Sequence, residues 1–337
     1  METDAKKLMF AIAAWVFLSG GVQAKIVISN AVARDVSMTY GFYEGQSASL
    51  EQIASQFPDL ARQAELRRLA FDAKFGSGLE EMDRRMMQAS AEGWQQIKAD
   101  LRRQVRDQTS EINLTRADAT QFLDEVSKRN DGNIASPVIE TLLTFNPRYQ
   151  AAPVREFLDG YRQRFNSDGA GKAKGVPFSI SAPLSWTQEE GERPNIVTKF
   201  TSENGRGLEV FMVGIFNLPE GESASFSRQD IEAILEGGAW ADFLPEDSLY
   251  RDSGPIQLET QHGFWVEFDT IGTRGRSHIK TRSMVLSLIH HGKLIQLFGQ
   301  VGAQMNEDNL LTERFDRHEP LFDQMFNSLV LPNEYAQ

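Results

Sequence analysis

The 337-residue chain is 41% hydrophobic and 24% charged, contains no cysteine, and carries a formal net charge of -12 at pH 7. The absence of cysteine excludes disulfide frameworks, thiol catalysis and cysteine-ligated zinc or iron–sulfur sites. The acidic balance argues against nucleic-acid binding, because neutralising phosphates requires a basic surface. The chain is long enough to bury one large core or two smaller ones, and its 22 Phe residues supply apolar side chains for them.

The first 24 residues have the pattern of a signal peptide. Two lysines precede an apolar run from Leu8 to Leu18, and small residues around Ala24 suit a cleavage site. That run is shorter than the about 20 residues a helix needs to cross a bilayer. The sequence therefore predicts a mature chain from Lys25, located in the periplasm or secreted, with no membrane span after cleavage. An uncleaved anchor is the alternative.

Residues from about Ser49 to Phe165 have the apolar spacing of amphipathic helices. Gly76 and Gly78 predict a break between two of these helices. The last predicted helix of this half runs from Pro153 to Phe165. The whole segment predicts an all-α domain.

Three helix starts in this half carry specific signals. Ser49 with Gln52 has the spacing of a capping box, and Leu114-Thr115 begins another helix with Asp118 at its third position. Ser136 precedes Pro137, which places a capping residue before a proline at the first helical position. All three signals predict helix starts.

The segment 166–175 contains three glycines and no apolar residue larger than alanine. This composition predicts a linker. The charge changes at the same place: residues 25–175 hold 21 basic and 21 acidic side chains, whereas residues 176–337 hold 12 basic and 24 acidic ones. The sequence therefore predicts a helical domain over 25–165, a linker over 166–175 and a second domain over 176–337.

The second half changes to runs of branched and aromatic residues that are typical of strands. These runs lie at residues 178–180, 196–200, 208–216, 256–260, 264–271, 276–289 and 293–301. One helix is predicted after Ser227, and the last from about Asp308 to Leu329, with Pro320 inside it. This order predicts a two-domain α+β chain, in which an all-α domain precedes a mainly antiparallel sheet covered by helices.

Two short segments give the second domain a family resemblance. Pro183-Leu184-Ser185-Trp186 follows the first strand, and Gly191-Glu192-Arg193-Pro194-Asn195 leads into the second. From Val176 onward the chain resembles the PsbP-like superfamily, which includes a photosystem subunit, a Ran-binding import factor and bacterial envelope proteins. The resemblance implies an antiparallel sheet sandwiched by helices and a non-catalytic binding or assembly role. It supplies no site residue.

Basic residues alternate along one predicted strand, on a domain that is otherwise acidic: Arg276, His278, Lys280 and Arg282. Alternate strand residues share a face, so they form a cationic row. A four-residue hairpin loop at 272–275 would pair Asp269 with His278, Glu267 with Lys280 and Trp265 with Arg282. The row is then a mostly neutralised ladder, each pair contributing ~0.2–1 kcal/mol.

The alternative interpretation of this row is a binding site for an anion or a protein partner. Arg274 at the loop tip and Arg282 are then expected to be the members least neutralised by carboxylates. A second candidate site contains Trp240 and Phe243, in an apolar segment that follows a glycine pair. Core packing is the default for this segment. If it is exposed, we expect a mobile flap or a docking patch.

The histidines form no recognisable metal or acid–base motif. His262-Gly263 and His291-Gly292 lie between strand runs and are predicted to be turns. His318 falls in the apolar stripe of the last helix and is predicted to pack there. The sequence also lacks a complete phosphate-binding loop, nucleophile elbow or zinc-protease motif. We therefore expect no cofactor, no metal site and no catalytic residue.

These observations predict an exported, non-enzymatic binding or assembly protein of the bacterial cell envelope, with another envelope protein as its partner. One alternative is a periplasmic protein that binds a small ligand or lipid, either beside the sheet or between the domains. The other is a hydrolase whose site residues are dispersed in the sequence.

Overall fold

The computed structural model describes residues 29–133, 136–218, 225–274, 277–305 and 307–332. The chain divides into a helical unit, Lys25–Tyr161, and a sheet unit that begins at Arg162. Helices precede antiparallel strands, so the predicted α+β fold class is confirmed. The predicted signal peptide lies outside the described residues.

The described part of the helical unit forms α1 (Asn30–Gln56), α2 (Ala61–Ala89), α3 (Ala91–Glu111), α4 (Arg116–Asn130), α5 (Pro137–Phe145), α6 (Pro147–Ala151) and α7 (Val154–Leu158). The helix start predicted at Ser49 is wrong, because α1 continues through this residue. The other two predicted starts are confirmed. Thr115 and Asp118 form a reciprocal capping box at α4, and Pro137 is the first residue of α5 after Ser136. Apolar side chains of α1 pack against α2 and α3 in one core cluster and against α4 in another.

The predicted helix break at Gly76 and Gly78 is wrong, because α2 continues through both residues. A side chain at Gly78 would place its Cβ 2.3 Å from the backbone oxygen of Leu142 in α5. The glycine therefore allows two helices to approach closely.

The predicted linker is also wrong. The helical unit ends earlier than expected, and β1 (Arg162–Ser167) pairs with β2 (Phe178–Pro183) across the predicted boundary. Within the supposed linker, Gly171–Ala173 forms a 3-10 turn, and Ala173 is fully buried. The small residues here form a tight packed turn, closed by the Gly175 amide donating to the Gly169 carbonyl at 2.8 Å.

The remaining strands of the sheet unit are β3 (Thr187–Glu189), β4 (Ile196–Thr201), β5 (Val210–Asn217), β6 (Leu249–Leu258), β7 (Gln261–Arg274), β8 (Ser277–His290) and β9 (Lys293–Gln304). They form one antiparallel sheet in the order β3-β4-β5-β9-β8-β7-β6. A short turn, α8 (Ser202–Gly205), joins β4 to β5.

A helix covers each face of this sheet. On one face Ile231 of α9 (Arg228–Glu236) packs with Phe298 of β9. On the other, α10 (Asp308–Phe326) crosses β9 so closely that a Cβ on Gly299 would lie 2.5 Å from the Phe322 ring. Neighbouring strand residues point to opposite faces, so the two helices sandwich the sheet.

A buried ion pair fixes α10 to the sheet. Arg314 of α10 donates from Nε to Glu209 Oε1 at 3.0 Å, and Ser202 Oγ donates to Glu209 Oε2 at 2.5 Å. The side chains of Arg314 and Glu209 are only 3% and 5% exposed. Burial by itself raises the pKa of Glu209, but Arg314, His318 and Ser202 together outweigh it and lower the pKa to about 2.

Glu209→Gln should destabilise the sheet unit by about 3–5 kcal/mol, because it leaves the Arg314 guanidinium buried without a counter-charge. The free energy of unfolding, measured in urea, checks this. The exposed pair Arg228–Glu232 supplies the control, and Glu232→Gln should have little effect.

The same pair predicts a pH dependence with a defined sign. The folded pKa of Glu209 lies below its ordinary value of 4.5. The stabilisation is therefore complete above pH 4.5 and is lost as the pH falls toward about 2. This part of the acid sensitivity should be absent in Glu209→Gln. Equal acid sensitivity in both proteins would contradict the assignment.

Candidate functional site

The hairpin of β7 and β8 extends further than the strands beside it. On one side, pairing with β6 stops where Leu249 faces Asp269. On the other, pairing with β9 stops where Gln304 faces Ile279. The hairpin end is defined here as residues 270–278. Its described parts, residues 270–274 of β7 and 277–278 of β8, extend past the last residues that pair with β6 and β9.

The predicted four-residue loop at 272–275 is wrong. β7 continues to Arg274, and β8 begins at Ser277. The shorter connection moves the register by four residues, so Asp269 faces Arg282 instead of His278. Because this shift is an even number, the acidic and basic side chains still share one face of the sheet, as predicted.

This register neutralises Arg282, so the expectation that it lacks a carboxylate partner is wrong. Arg282 Nε lies 2.7 Å from Asp269 Oδ1, and Arg251 Nη2 donates to Oδ2 at 2.6 Å. The Arg282 guanidinium also lies 5.6 Å from the ring centroid of Phe315 in α10. Burial raises the pKa of Asp269, but the two arginines outweigh this effect and the net shift is downward.

The other predicted row residues lie closer to the tip. Lys280 faces Ile271, and its Nζ is 4.0 Å from Asp269 Oδ2. Arg274 ends β7, and His278 is the second residue of β8. The side chains of Arg274 and His278, and all of Arg276, lie outside the described residues. The structure thus places Lys280 and Arg282 around one carboxylate, with Arg274 further along the hairpin.

Exposed apolar side chains surround the hairpin end, and the sequence analysis missed them. Leu249 and Ile271 are 55% and 58% exposed, and Tyr250 and Met305 are 39% and 42% exposed. Leu249 pairs with Asp269, two residues before Ile271, so Leu249 and Ile271 share a face. Only the observed register shows that Ile271 lies beyond the area covered by the core.

The charge of this segment is opposite to that of its domain. Residues 269–282 contain four basic side chains and one acidic one, Asp269, whereas residues 176–337 as a whole have twice as many acidic as basic side chains. Asp269 is bound inside the sheet by Arg282 and Arg251. The part of the hairpin beyond Asp269 therefore contains basic but no acidic residues.

The aromatic segment does not form an exposed flap at Trp240. This residue lies in the 3-10 turn Ala239–Phe243 and packs against the core cluster that contains Ile231 of α9 and Phe298 of β9. Its ring stacks on Tyr250, with the centroids 4.1 Å apart. The Phe243 side chain lies outside the described residues. Trp240 therefore acts as a packing residue that holds the turn against β6.

The two predicted histidine turns have different outcomes. His291 and Gly292 form the turn between β8 and β9, with φ values of 48° and 70°, as predicted. His262 and Gly263 instead lie inside β7, so that prediction is wrong. A Cβ on Gly263 would lie 2.4 Å from the Ser287 carbonyl oxygen, so this glycine permits close strand contact.

Other polar groups are engaged in internal packing. His318 is 6% exposed, and its Nδ1 lies 2.8 Å from the Arg314 carbonyl oxygen. The described ranges contain no cluster of three His, Asp or Glu side chains arranged to hold a metal ion. Across those same ranges, every helix is too short or too polar to traverse a bilayer.

A groove of about 730 Å³ lies among α1, α2 and α3 of the helical unit. Its central charges are paired with one another. Lys98 donates to Asp83 at 2.6 Å, and Arg102 donates to Glu44 at 2.9 Å. These ion pairs attach α3 to its neighbours, so the hairpin end is the stronger candidate for a binding surface.

No family model and no curated protein matches the chain. A solved structure from Bacteroides thetaiotaomicron VPI-5482 matches 50% of this chain and 48% of its own, with 14% identity and a TM-score of 0.28. LpqN of Mycobacterium tuberculosis, described as involved in cell envelope biogenesis, matches 51% of this chain and 92% of its own, with 10% identity and a TM-score of 0.30.

The Saccharomyces cerevisiae Ran-binding protein Mog1p matches 50% of this chain and 95% of its own, with 8% identity and a TM-score of 0.33. These likenesses concern the fold alone.

Arg282→Gln should lower the free energy of unfolding by about 1–3 kcal/mol, because it removes the buried arginine that donates to Asp269 Oδ1. Arg251 retains part of the charge compensation, which limits the loss. Lys280→Gln is the matched control, since Lys280 lies further from the same carboxylate, and it should have a smaller effect. Urea unfolding monitored by tryptophan fluorescence measures both, and equal losses would contradict the described ladder.

Proposed function

We propose that this chain is an exported, non-enzymatic binding or assembly protein of the cell envelope, and that it binds a protein partner through the hairpin end. The observation that carries the proposal is the reversal of charge beyond Asp269, beside exposed apolar side chains. The export step rests on the signal-peptide pattern of residues 1–24.

The hairpin end combines two properties of protein-binding surfaces. Its basic residues, Arg274 and Arg276 among them, follow the last carboxylate of β7 and attract an acidic partner. Ile271 and Leu249 provide apolar surface whose burial contributes about 25 cal/mol per Å². Exposed apolar patches with polar rims are typical of interaction sites.

The described polar clusters support a non-catalytic role. Ser202, Glu209 and His318 are residue types found in hydrolase triads, but here they lie inside the core, at 5%, 4% and 6% exposure. Ser202 donates to Glu209, and His318 Nδ1 faces a backbone carbonyl of its own helix. This arrangement fixes α10 in place and leaves the Ser202 hydroxyl directed at a carboxylate.

Binding of a small ligand or lipid is the second candidate function, and one buried amide favours it. Gln296 is 1% exposed, and its Nε2 donates to Ser287 Oγ at 3.1 Å, whereas its Oε1 has no hydrogen-bond partner in the described structure. By register Gln296 shares a sheet face with Phe298, which packs under α9. An unpaired buried acceptor costs about 1–3 kcal/mol, which a ligand donor would offset.

Reversing the tip charges should weaken partner capture without unfolding the protein. Arg274→Glu with Arg276→Glu is expected to reduce the captured partner at least about tenfold, equivalent to roughly 1.4 kcal/mol. Capture is measured by native mass spectrometry of the mature protein, purified from its own host's envelope after mild crosslinking.

Arg103→Glu with Arg106→Glu on α3 is the matched control, because it changes the net charge by the same amount in the helical unit. It should leave capture unchanged. Equal loss in both variants would contradict a role for the hairpin end. A bare chain with a reproducible small added mass would favour the ligand-binding alternative.

A further inference from the structure

We infer that the partner binds as an extended acidic strand along the open edge of β7, residues 270–274. This inference rests on the proposed function and specifies how the hairpin end recognises its partner. The partner would add one strand to the sheet, next to β7 and in continuation of β6.

The geometry of the sheet edge carries the inference. β6 pairs with β7 only as far as Asp269, and no described strand pairs with that side of β7 over residues 270–274. Alternate residues of such an edge direct their backbone N–H and C=O groups outward. Five residues at about 3.3 Å each match the length of a short added strand.

The chain itself turns away from this edge. Before Leu249, the Ser248 amide donates to the Pro245 carbonyl at 3.2 Å, and Asp247 has a φ of 63°. This turn directs the preceding segment off the line of β6. Among the described residues, β6 therefore does not continue along β7 past Asp269.

The rest of this sheet edge is protected against pairing. β6 contains Pro255, which has no backbone N–H, and its register shifts between Tyr250 and Asp252. Both features disfavour the addition of a strand. Residues 270–274 contain no proline, and pairing with β8 is regular throughout this segment. The contrast confines strand addition to the hairpin end.

The side chains around this edge indicate which kind of segment would bind there. Ile271 and Leu249 lie on one face and suit an apolar residue, while the excess of basic residues beyond Asp269 suits carboxylates. A second copy of this chain would bring two basic hairpin ends together, and like charges directly opposite are destabilising. The occupant is therefore an extended segment that contains both acidic and apolar residues.

A defined probe tests strand addition. The probe is an acetylated, amidated peptide of four Glu-Val repeats, prepared unmodified and in two forms that are N-methylated at every second residue. One set of methyl groups blocks the pairing edge, and the other blocks the outer edge. We expect the unmodified peptide and one methylated form to bind, and the other methylated form to lose binding at least tenfold.

Hydrogen exchange of the full mature chain provides the second readout. Backbone amides of residues 270–274 should exchange more slowly when the unmodified peptide is bound, while the amides of β3 at the opposite edge should not change. Ile271→Thr should weaken peptide binding severalfold, and Leu158→Thr, at an exposed position in the helical unit, should have no effect.

The outcomes separate the two proposals. Charge-sensitive capture of the natural partner, combined with equal binding of both methylated peptides or with unchanged exchange at residues 270–274, would overturn strand addition alone. If Arg274→Glu with Arg276→Glu leaves both partner capture and peptide binding unchanged, the proposed function and strand addition are both overturned. Binding that depends on one methylation pattern, with slowed exchange at residues 270–274, supports the inference.

Discussion

The pairing of Asp269 with Arg282 and Arg251 determines which charges of the β7–β8 hairpin are neutralised inside the sheet unit. This carboxylate is 3% exposed and sits on the face that α10 covers. It neutralises the two arginines nearest the core and makes their burial tolerable. Lys280, further along the hairpin, lies 4.0 Å from the same carboxylate. The ion pair thus gives the inner part of the basic row a structural role, and the proposed partner contact concerns the residues beyond it.

α10 connects this cluster to the second buried ion pair. Its Arg314 binds Glu209 at the start of β5, and the next residue, Phe315, lies against the Arg282 guanidinium. The helix therefore fixes two distant parts of the sheet in one orientation. Ile271, two residues beyond Asp269, is 58% exposed, so α10 does not cover the hairpin end at that position.

Much of the fold follows from local sequence signals. Capping residues such as Thr115 define helix starts, and the alternation of β7 and β8 correctly places acidic and basic side chains on one face. Glycine was the main source of error. Gly78 and Gly263 resemble breaks in the sequence, but each permits close backbone contact with a distant element. That requirement depends on tertiary packing, which a local pattern does not contain.

The candidate site was predicted only in part, because it too depends on tertiary packing. The basic row is visible in the sequence, whereas its neutralisation depends on a register that the loop length sets. Exposure of Leu249 and Ile271 depends on where β6 and α10 begin. An apolar residue at the end of a strand has the same local pattern whether or not a neighbour covers it. The exposure of these side chains can therefore be recognised only in the assembled sheet.

The central claim is that the hairpin end contacts a protein partner, and site-specific photo-crosslinking in the native host tests it most directly. A photoreactive residue is placed at Ile271 and, in a separate protein, at the equally exposed Leu158. The account predicts one dominant protein adduct at position 271, attached within an acidic segment, and no such adduct at position 158. The absence of a protein adduct at 271, or the same adducts from both positions, would contradict it.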